Sequence, residues 1–406
     1  MLSYEGMSTM LRGITVEGFK SIQHLALSLG RVNCLIGANG AGKSNILEAI
    51  GVLGAAANGT VDDEALLRRG VRPGLPRLYK SSFASAKTPV HIGLSAEDTE
   101  SMDGSGAVFR ISLLNPLDNP NPAWHFKTEF LAIGSDEIVS DGVRSSKNVT
   151  KDKGLSALRM VDLEPKSRAA LLLSTLQSYA IYSPATATLR GMVSDPQPRD
   201  PLGLSGGRLA EAFAEFKKAH LDTDESLLDD VLELVDWVET VDTTTTAGSL
   251  LSPSVARTKN VLRFTDRFMK KERNTLTAYD ASEGALYVLF SAILCLSPQA
   301  PRVCAIDNID QALNPRLAAG LIKKICSWVT KAGSDRQLIF TAHNPAVLDG
   351  LNLTNSEVRL FAVDRSSDGP TVVKRIELTR ELATLQKNYP LSRLWLMGNL
   401  GAVPNV

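Results

Sequence analysis

The chain has 406 residues, with 44 Lys and Arg against 44 Asp and Glu, so its formal net charge is zero. That length suits two or three domains, or one large domain with an insertion. A hydrophobic content of 44% and a charged content of 22% exclude a wholly disordered chain, and the balanced charge excludes a nucleic-acid binder that relies on a bulk basic field, leaving a local patch open. The longest nearly apolar run, Ala285–Leu296, falls short of the ~20 residues a bilayer span needs. The opening MLSYEGMSTML has no basic or apolar region of a secretory signal, and Cys34, Cys295, Cys304 and Cys326 sit in apolar surroundings without CxxC spacing. A cytoplasmic protein with reduced core cysteines, no zinc site and no membrane contact is expected.

Leu11–Phe19 and Gln23–Leu29 alternate apolar and polar residues, the period of a half-buried strand, and Arg31–Ile36 is a third, β-rich run ending in glycine. A helix over Lys43–Ala56 follows, with Ile46, Leu47, Ile50 and Leu53 on one face. Pro89–Leu94, Ala107–Leu114 and Trp124–Ile133 predict an antiparallel sheet, and the polar segment Ser140–Gly154 an exposed loop. Helices are expected over Pro165–Gln177, Gly207–His220 and Glu225–Val238, with a boundary at Asp242–Pro253. Beyond it come a strand near Asn260–Phe268, a long helix from Ser282, a strand at Arg302–Asp307, and a helix with Leu317, Leu321, Ile325 and Trp328 on one face. Strand Gln337–Thr341, helix Pro345–Leu351, strands Val358–Val363 and Thr371–Ile376 and two helices close the chain. Because strand–helix alternation lies at both ends, the expected fold is α/β: one sheet assembled from residues 1–150 and 256–406, an N-terminal antiparallel β subdomain, and a helical insertion over 151–255.

Gly37–Ser44 (GANGAGKS) fits GxxxxGK(S/T) between a predicted strand and a predicted helix. Gly37, Asn39, Gly40 and Gly42 would turn backbone N–H groups around phosphate oxygens at a helix N-terminus, Lys43 would reach the β- and γ-phosphates, and Ser44 would ligate Mg²⁺. Asp307 ends an apolar strand and is suited to the same metal. His343 ends a second apolar strand, where it can reach a γ-phosphate, and Ser282 and Gly284 open a helix and offer a hydroxyl and unpaired N–H groups. Each of these three is also compatible with a purely structural role: a strand end, a structural histidine, an N-cap.

The order of the four elements resembles that of the ABC-type ATPase heads of the SMC, RecF and OLD proteins. In particular it resembles the small bacterial ATPases of the AAA_21/AAA_15 type often found in antiphage defence operons. Leu11–Ile22 is similar to that group's opening strand, Gly37–Ser44 to its Walker A, Asp280–Gly284 (DASEG) to its ABC signature, Ile306–Pro315 (IDNIDQALNP) to its Walker B and D-loop, Thr341–Pro345 (TAHNP) to its switch histidine, and Leu391–Asn405 to its tail. The resemblance implies ATP and Mg²⁺ as cofactors. It also implies a homodimer in which each ATP lies between Walker A and B of one chain and Ser282 and Gly284 of the other. The chain departs from the pattern at Asn308, where the group has a glutamate general base; losing such a base costs ~10²–10⁴ in rate, although an amide can still orient water. Asp310, two residues along, is expected to face away, and Asn314 stands where the group often has histidine.

Three functions remain open: a slow, dimerising switch ATPase that controls a separate effector (a nuclease or toxin) in bacterial defence, a RecF- or SMC-like DNA-repair ATPase, and an ATP-binding scaffold that never hydrolyses. A Toprim nuclease appended to this chain is not expected. Two basic stretches, Arg68, Arg69, Arg72, Arg77 and Lys80, and Arg263, Arg267, Lys270, Lys271 and Arg273, are candidates either for DNA contact or for a solvated, salt-bridged surface.

Overall fold

A computed structural model of the chain describes residues 9–84, 86–99, 106–140, 154–220, 226–245, 250–251 and 260–402. All but the ends of the expected loop at Ser140–Gly154, part of the boundary at Asp242–Pro253 and the last residues of the tail therefore lie outside the described residues.

The chain opens with a hairpin of β1 (Gly13–Phe19) and β2 (Ile22–Ser28), followed by β3 (Val32–Ile36). β4 (His91–Glu97), β5 (Ala107–Leu114), β6 (His125–Ile133) and β7 (Asp136–Val139) then extend the hairpin into an antiparallel sheet of order β2-β1-β4-β5-β6-β7. β5 shows why the alternation was legible: Ala107, Phe109, Ile111 and Leu113 are all buried, and Arg110 points outward.

β3 leaves that sheet and enters a second one with β8 (Ile181–Tyr182), β12 (Val303–Ile306), β13 (Gln337–Ala342), β14 (Val358–Arg365) and β15 (Thr371–Ile376), in the order β15-β14-β3-β13-β12-β8. All neighbours are parallel except β14 and β15, a hairpin. A parallel sheet needs both faces covered, and here they are. Leu35, Ala305, Ile339 and Phe361 pack on the side of the Lys43–Ala57 helix and the antiparallel sheet. Cys34, Ile306, Leu338 and Phe340 pack on the side of helices Glu283–Leu296, Pro315–Thr330 and Leu209–His220. The Lys43–Ala57 helix lies wedged inside the first core and is buried all round beyond its first turn, not on one face only.

The middle of the chain is more than helical. The dipeptide β8 extends the parallel sheet beside β12. The expected Glu225–Val238 helix stops at Leu232, and Val238 starts β9 (Val238–Thr244), which pairs with β10 (Val261–Asp266); β11 (Thr275–Thr277) completes that three-stranded sheet. Cross-strand pairing overrides the local helical pattern at this point. Pro345–Gly350 is a short 3-10 helix.

All four cysteines are buried and free, and burial pushes the thiols of Cys304 and Cys326 up to about 12, which makes them inert core residues. Among the described residues no helix is long and apolar enough to cross a membrane.

Candidate functional site: a phosphate loop facing an acidic strand end

The phosphate loop joins β3 to the Lys43–Ala57 helix, at the C-terminal edge of the parallel strands. Its backbone admits only glycine at two points. Gly37 has φ 148°, and a Cβ there would sit 2.0 Å from the Val363 carbonyl oxygen; Gly42 has φ 112°, and a Cβ would sit 2.2 Å from Thr371 Oγ1. A set of hydroxyls fixes the loop from outside: Thr371 Oγ1 donates to the Ala41 carbonyl (2.8 Å) and lies 2.7 Å from Ser21 Oγ, which also accepts from the Asn45 side chain (2.6 Å). Arg365 donates to the Gly40 carbonyl at 3.0 Å.

Lys43 is 5% exposed, and its ammonium donates to the Gly37 (2.7 Å) and Ala38 (3.0 Å) carbonyls. Burial lowers its pKa, opposed by the charges of Asp307 and Asp310. Ser44 Oγ donates to the Asp307 carboxylate at 2.9 and 3.2 Å, so two residues 263 positions apart meet as an all-oxygen pair. Hard oxygen donors from one hydroxyl and one carboxylate fit Mg²⁺.

β13 lies between β3 and β12, and it contributes the first residue of TAHNP, to which the sequence assigns no role of its own. Thr341, fully buried, donates to Asp307 Oδ1 (2.6 Å) and accepts the Asn308 N–H (2.8 Å), so one hydroxyl aims the carboxylate and pins the residue after it. Asn308 has φ 57°, a left-handed conformation that asparagine tolerates better than most residues. That turn ends the strand's alternation, and Asp310 does not face away as expected. Its Oδ2 accepts the backbone N–H groups of His343 (2.9 Å) and Asn344, tying the acidic strand end to the histidine loop. His343 is exposed, and its pKa is lowered by partial burial and by the Lys43 charge.

Another buried carboxylate went unnoticed in the sequence. Glu48, one turn beyond Ser44, pairs with Lys20 and with Arg72 Nε (2.6 Å). Lys20, Ser21, Asn45, Arg72, Tyr79 and Arg365 border a cleft of about 500 Å³ beside the phosphate loop. Part of the first basic stretch is absorbed into structure: Arg69 donates to the Ala65 and Gln177 carbonyls and Lys80 to the Val90 carbonyl, while Arg68, paired with Glu64, and Arg77 are exposed.

Ser282 and Gly284 lie elsewhere. Ser282 caps the Glu283–Leu296 helix by accepting the Ala285 N–H (3.4 Å), and both residues border a cavity of about 840 Å³ with Trp237, Asn314, Arg316 and Leu317. No phosphate-loop residue lines that cavity. Asn314, in the histidine position, is the N-cap of the Pro315–Thr330 helix. Of the second basic stretch, Arg263 faces Asp242 (3.8 Å) and Arg267 donates to the Val238 carbonyl (2.6 Å), while Lys270, Lys271 and Arg273 are exposed on the β10–β11 hairpin.

A phosphate loop on a central parallel strand, an acidic strand end two strands away and an antiparallel sheet over the loop helix define a P-loop ATPase head of the ABC type. Residues 134–349 match the family described as "AAA domain, putative AbiEii toxin, Type IV TA system" (AAA_21), and residues 10–71 match the AAA ATPase domain AAA_15. The chain belongs to the AAA_21 family and is an AAA-type ATPase. Among solved structures it is similar to an Smc head bound to the C-winged helix domain of ScpA, at 13% identity and TM-score 0.50, covering 91% of this chain and 98% of that one. It is also similar to the Smc head domain with an extended coiled coil bound to the C-terminal domain of ScpA derived from Pyrococcus furiosus, at 13% identity and TM-score 0.50, covering 93% and 98%. At that identity the likeness speaks for the fold. No curated protein matches the sequence.

Proposed function

We propose that the protein is an ATP-dependent dimerising switch, with slow or activator-dependent hydrolysis, that controls a separate effector in a bacterial defence system. The carrying observation is the separation of the two half-sites. Lys43, Ser44 and Asp307 converge on one loop, whereas Ser282 and Gly284 border a different cavity, which supports a site completed by the signature residues of a second copy. In the assembled site, Gly37, Asn39, Gly40 and Gly42 would wrap the phosphates, Lys43 would neutralise them, and Ser44 with Asp307 would hold Mg²⁺, whose charge would stabilise phosphoryl transfer. The adjoining cleft with Lys20 and Arg72 has room for the rest of the nucleotide. His343, neutral above its lowered pKa, donates to a γ-phosphate oxygen. The family's description names a toxin of a toxin–antitoxin system, which supports a defence role.

Asn308 cannot take a proton from the attacking water, so turnover without an activator should stay below about one per second. Steady-state ATPase assays test this together with Asn308→Glu, which should raise turnover by at least about tenfold. Several turnovers per second in the unmodified protein, with no activator, would exclude the slow-switch reading. Complete absence of turnover in both proteins would favour the ATP-binding scaffold. The exposed Lys270, Lys271 and Arg273 keep DNA contact as a second reading, which predicts binding that falls steeply with salt and is lost when these three are neutralised.

A further inference from the structure

Ser282 is held by more than its helix. Trp237, between the Ser226–Leu232 helix and β9, donates its indole N–H to Ser282 Oγ at 3.3 Å, and the same oxygen accepts the Ala285 N–H. A serine oxygen that accepts two N–H groups has its own proton left to donate. Ser282 borders the 840 Å³ cavity, so that proton is what it offers a ligand there.

Trp237 is itself fixed. Its ring lies 5.8 Å from Phe264 at 38°, and its carbonyl accepts the Arg267 N–H at 3.0 Å, while the Arg267 guanidinium holds the neighbouring Val238 carbonyl. The indole is therefore anchored to the β9–β10–β11 sheet, whose hairpin exposes Phe268 (78%) and Met269 (43%).

We infer that Trp237 is a positioning residue: it aims the Ser282 hydroxyl at the γ-phosphate of a nucleoside triphosphate presented by a second copy of the chain, and links that donor to the small sheet. The inference rests on the dimer reading above. An indole N–H–hydroxyl bond contributes about 1 kcal/mol, or about fivefold per site. A two-fold dimer holds two such sites, so the effect on the dimer dissociation constant is about twenty-fivefold.

The test uses the full chain with Mg²⁺ and a non-hydrolysable ATP analogue, followed by sedimentation. Trp237→Phe keeps the ring against Phe264 and removes the N–H. It should leave analogue affinity in dilute monomer within about twofold, because Trp237 does not border the phosphate loop, and weaken the dimer about twenty-fivefold. Ser282→Ala should weaken the dimer at least as much, and Trp237→Phe added to it should change nothing further. A purely packing role for Trp237 predicts instead that the two losses multiply, which overturns the inference, as does a Trp237→Phe dimer as tight as the unmodified one. If the unmodified protein stays monomeric with the analogue, the dimer reading fails and takes this inference with it. If the unmodified protein dimerises and Trp237→Phe matches it, the inference alone fails.

Discussion

On the phosphate-loop side, Ser44 and Thr341 both donate to Asp307, Lys43 donates to the loop's own Gly37 and Ala38 carbonyls, and Gly42 packs against Thr371. On the signature side, Ser282 and Gly284 border an open cavity, and Ser282 receives two N–H groups while its own proton remains to be donated. Both places would meet phosphate, but the polar groups of the first are closed on one another, whereas the second is aimed and still keeps one donor free. A site whose polar groups are mutually fixed has its geometry set before a ligand arrives. A site with donor capacity to spare depends on what is brought to it.

The largest effect that probes this contrast lies behind the phosphate loop. Glu48→Ala leaves the largely buried Lys20 ammonium without its carboxylate and removes the partner of the exposed Arg72, and should cost about 3 kcal/mol in denaturant unfolding. The matching change on the other side, at exposed Glu283 in the first turn of the signature helix, should cost about 0.5 kcal/mol. Equal costs would erase the contrast. Next comes Thr341→Val, which leaves the Asn308 N–H unpaired and frees the Asp307 carboxylate; it should cost about 1–3 kcal/mol and weaken Mg²⁺–ATP binding about tenfold by calorimetry. Unchanged affinity would show that Asp307 needs no aiming.

The smallest effect is electrostatic. In the nucleotide-free protein the NMR titration midpoint of His343 should lie below 6.5, and Lys43→Met should raise it, because one of the two causes that depress it is gone. Since the folded-state pKa is depressed, the unfolded chain takes up this proton first. The group's contribution to stability is thus present above pH 6.5 and is lost as pH falls through the lowered value. A midpoint that ignores Lys43 would place the histidine outside the field of the phosphate loop.

The phosphate loop was legible in the sequence because its chemistry is local: eight consecutive residues in a strand–loop–helix setting. β1, β2 and β4 to β6 were legible because one face is buried and alternation survives. Thr341, Glu48 and Trp237 were not, because each acts on a partner distant in sequence, and an isolated threonine, glutamate or tryptophan has no pattern of its own. Asp310 was misjudged for a different reason. Counting two residues along presumes a strand that continues, and Asn308 at φ 57° ends it. β8 escaped because two residues cannot show a period.

The bracing of the phosphate loop also has a consequence for the order of synthesis. The Gly37–Ser44 loop leaves the ribosome early, but β3 gains its neighbours only when β13 and β14 exist, and the Ala41 carbonyl gains its hydroxyl only when Thr371 does. Domains of this kind fold as units once their long-range partners are available. A chain interrupted just before residue 371 therefore holds the whole signature of a nucleotide site but lacks the hydroxyl that fixes the Ala41 carbonyl, so its phosphate loop is less firmly held than that of the longer chain.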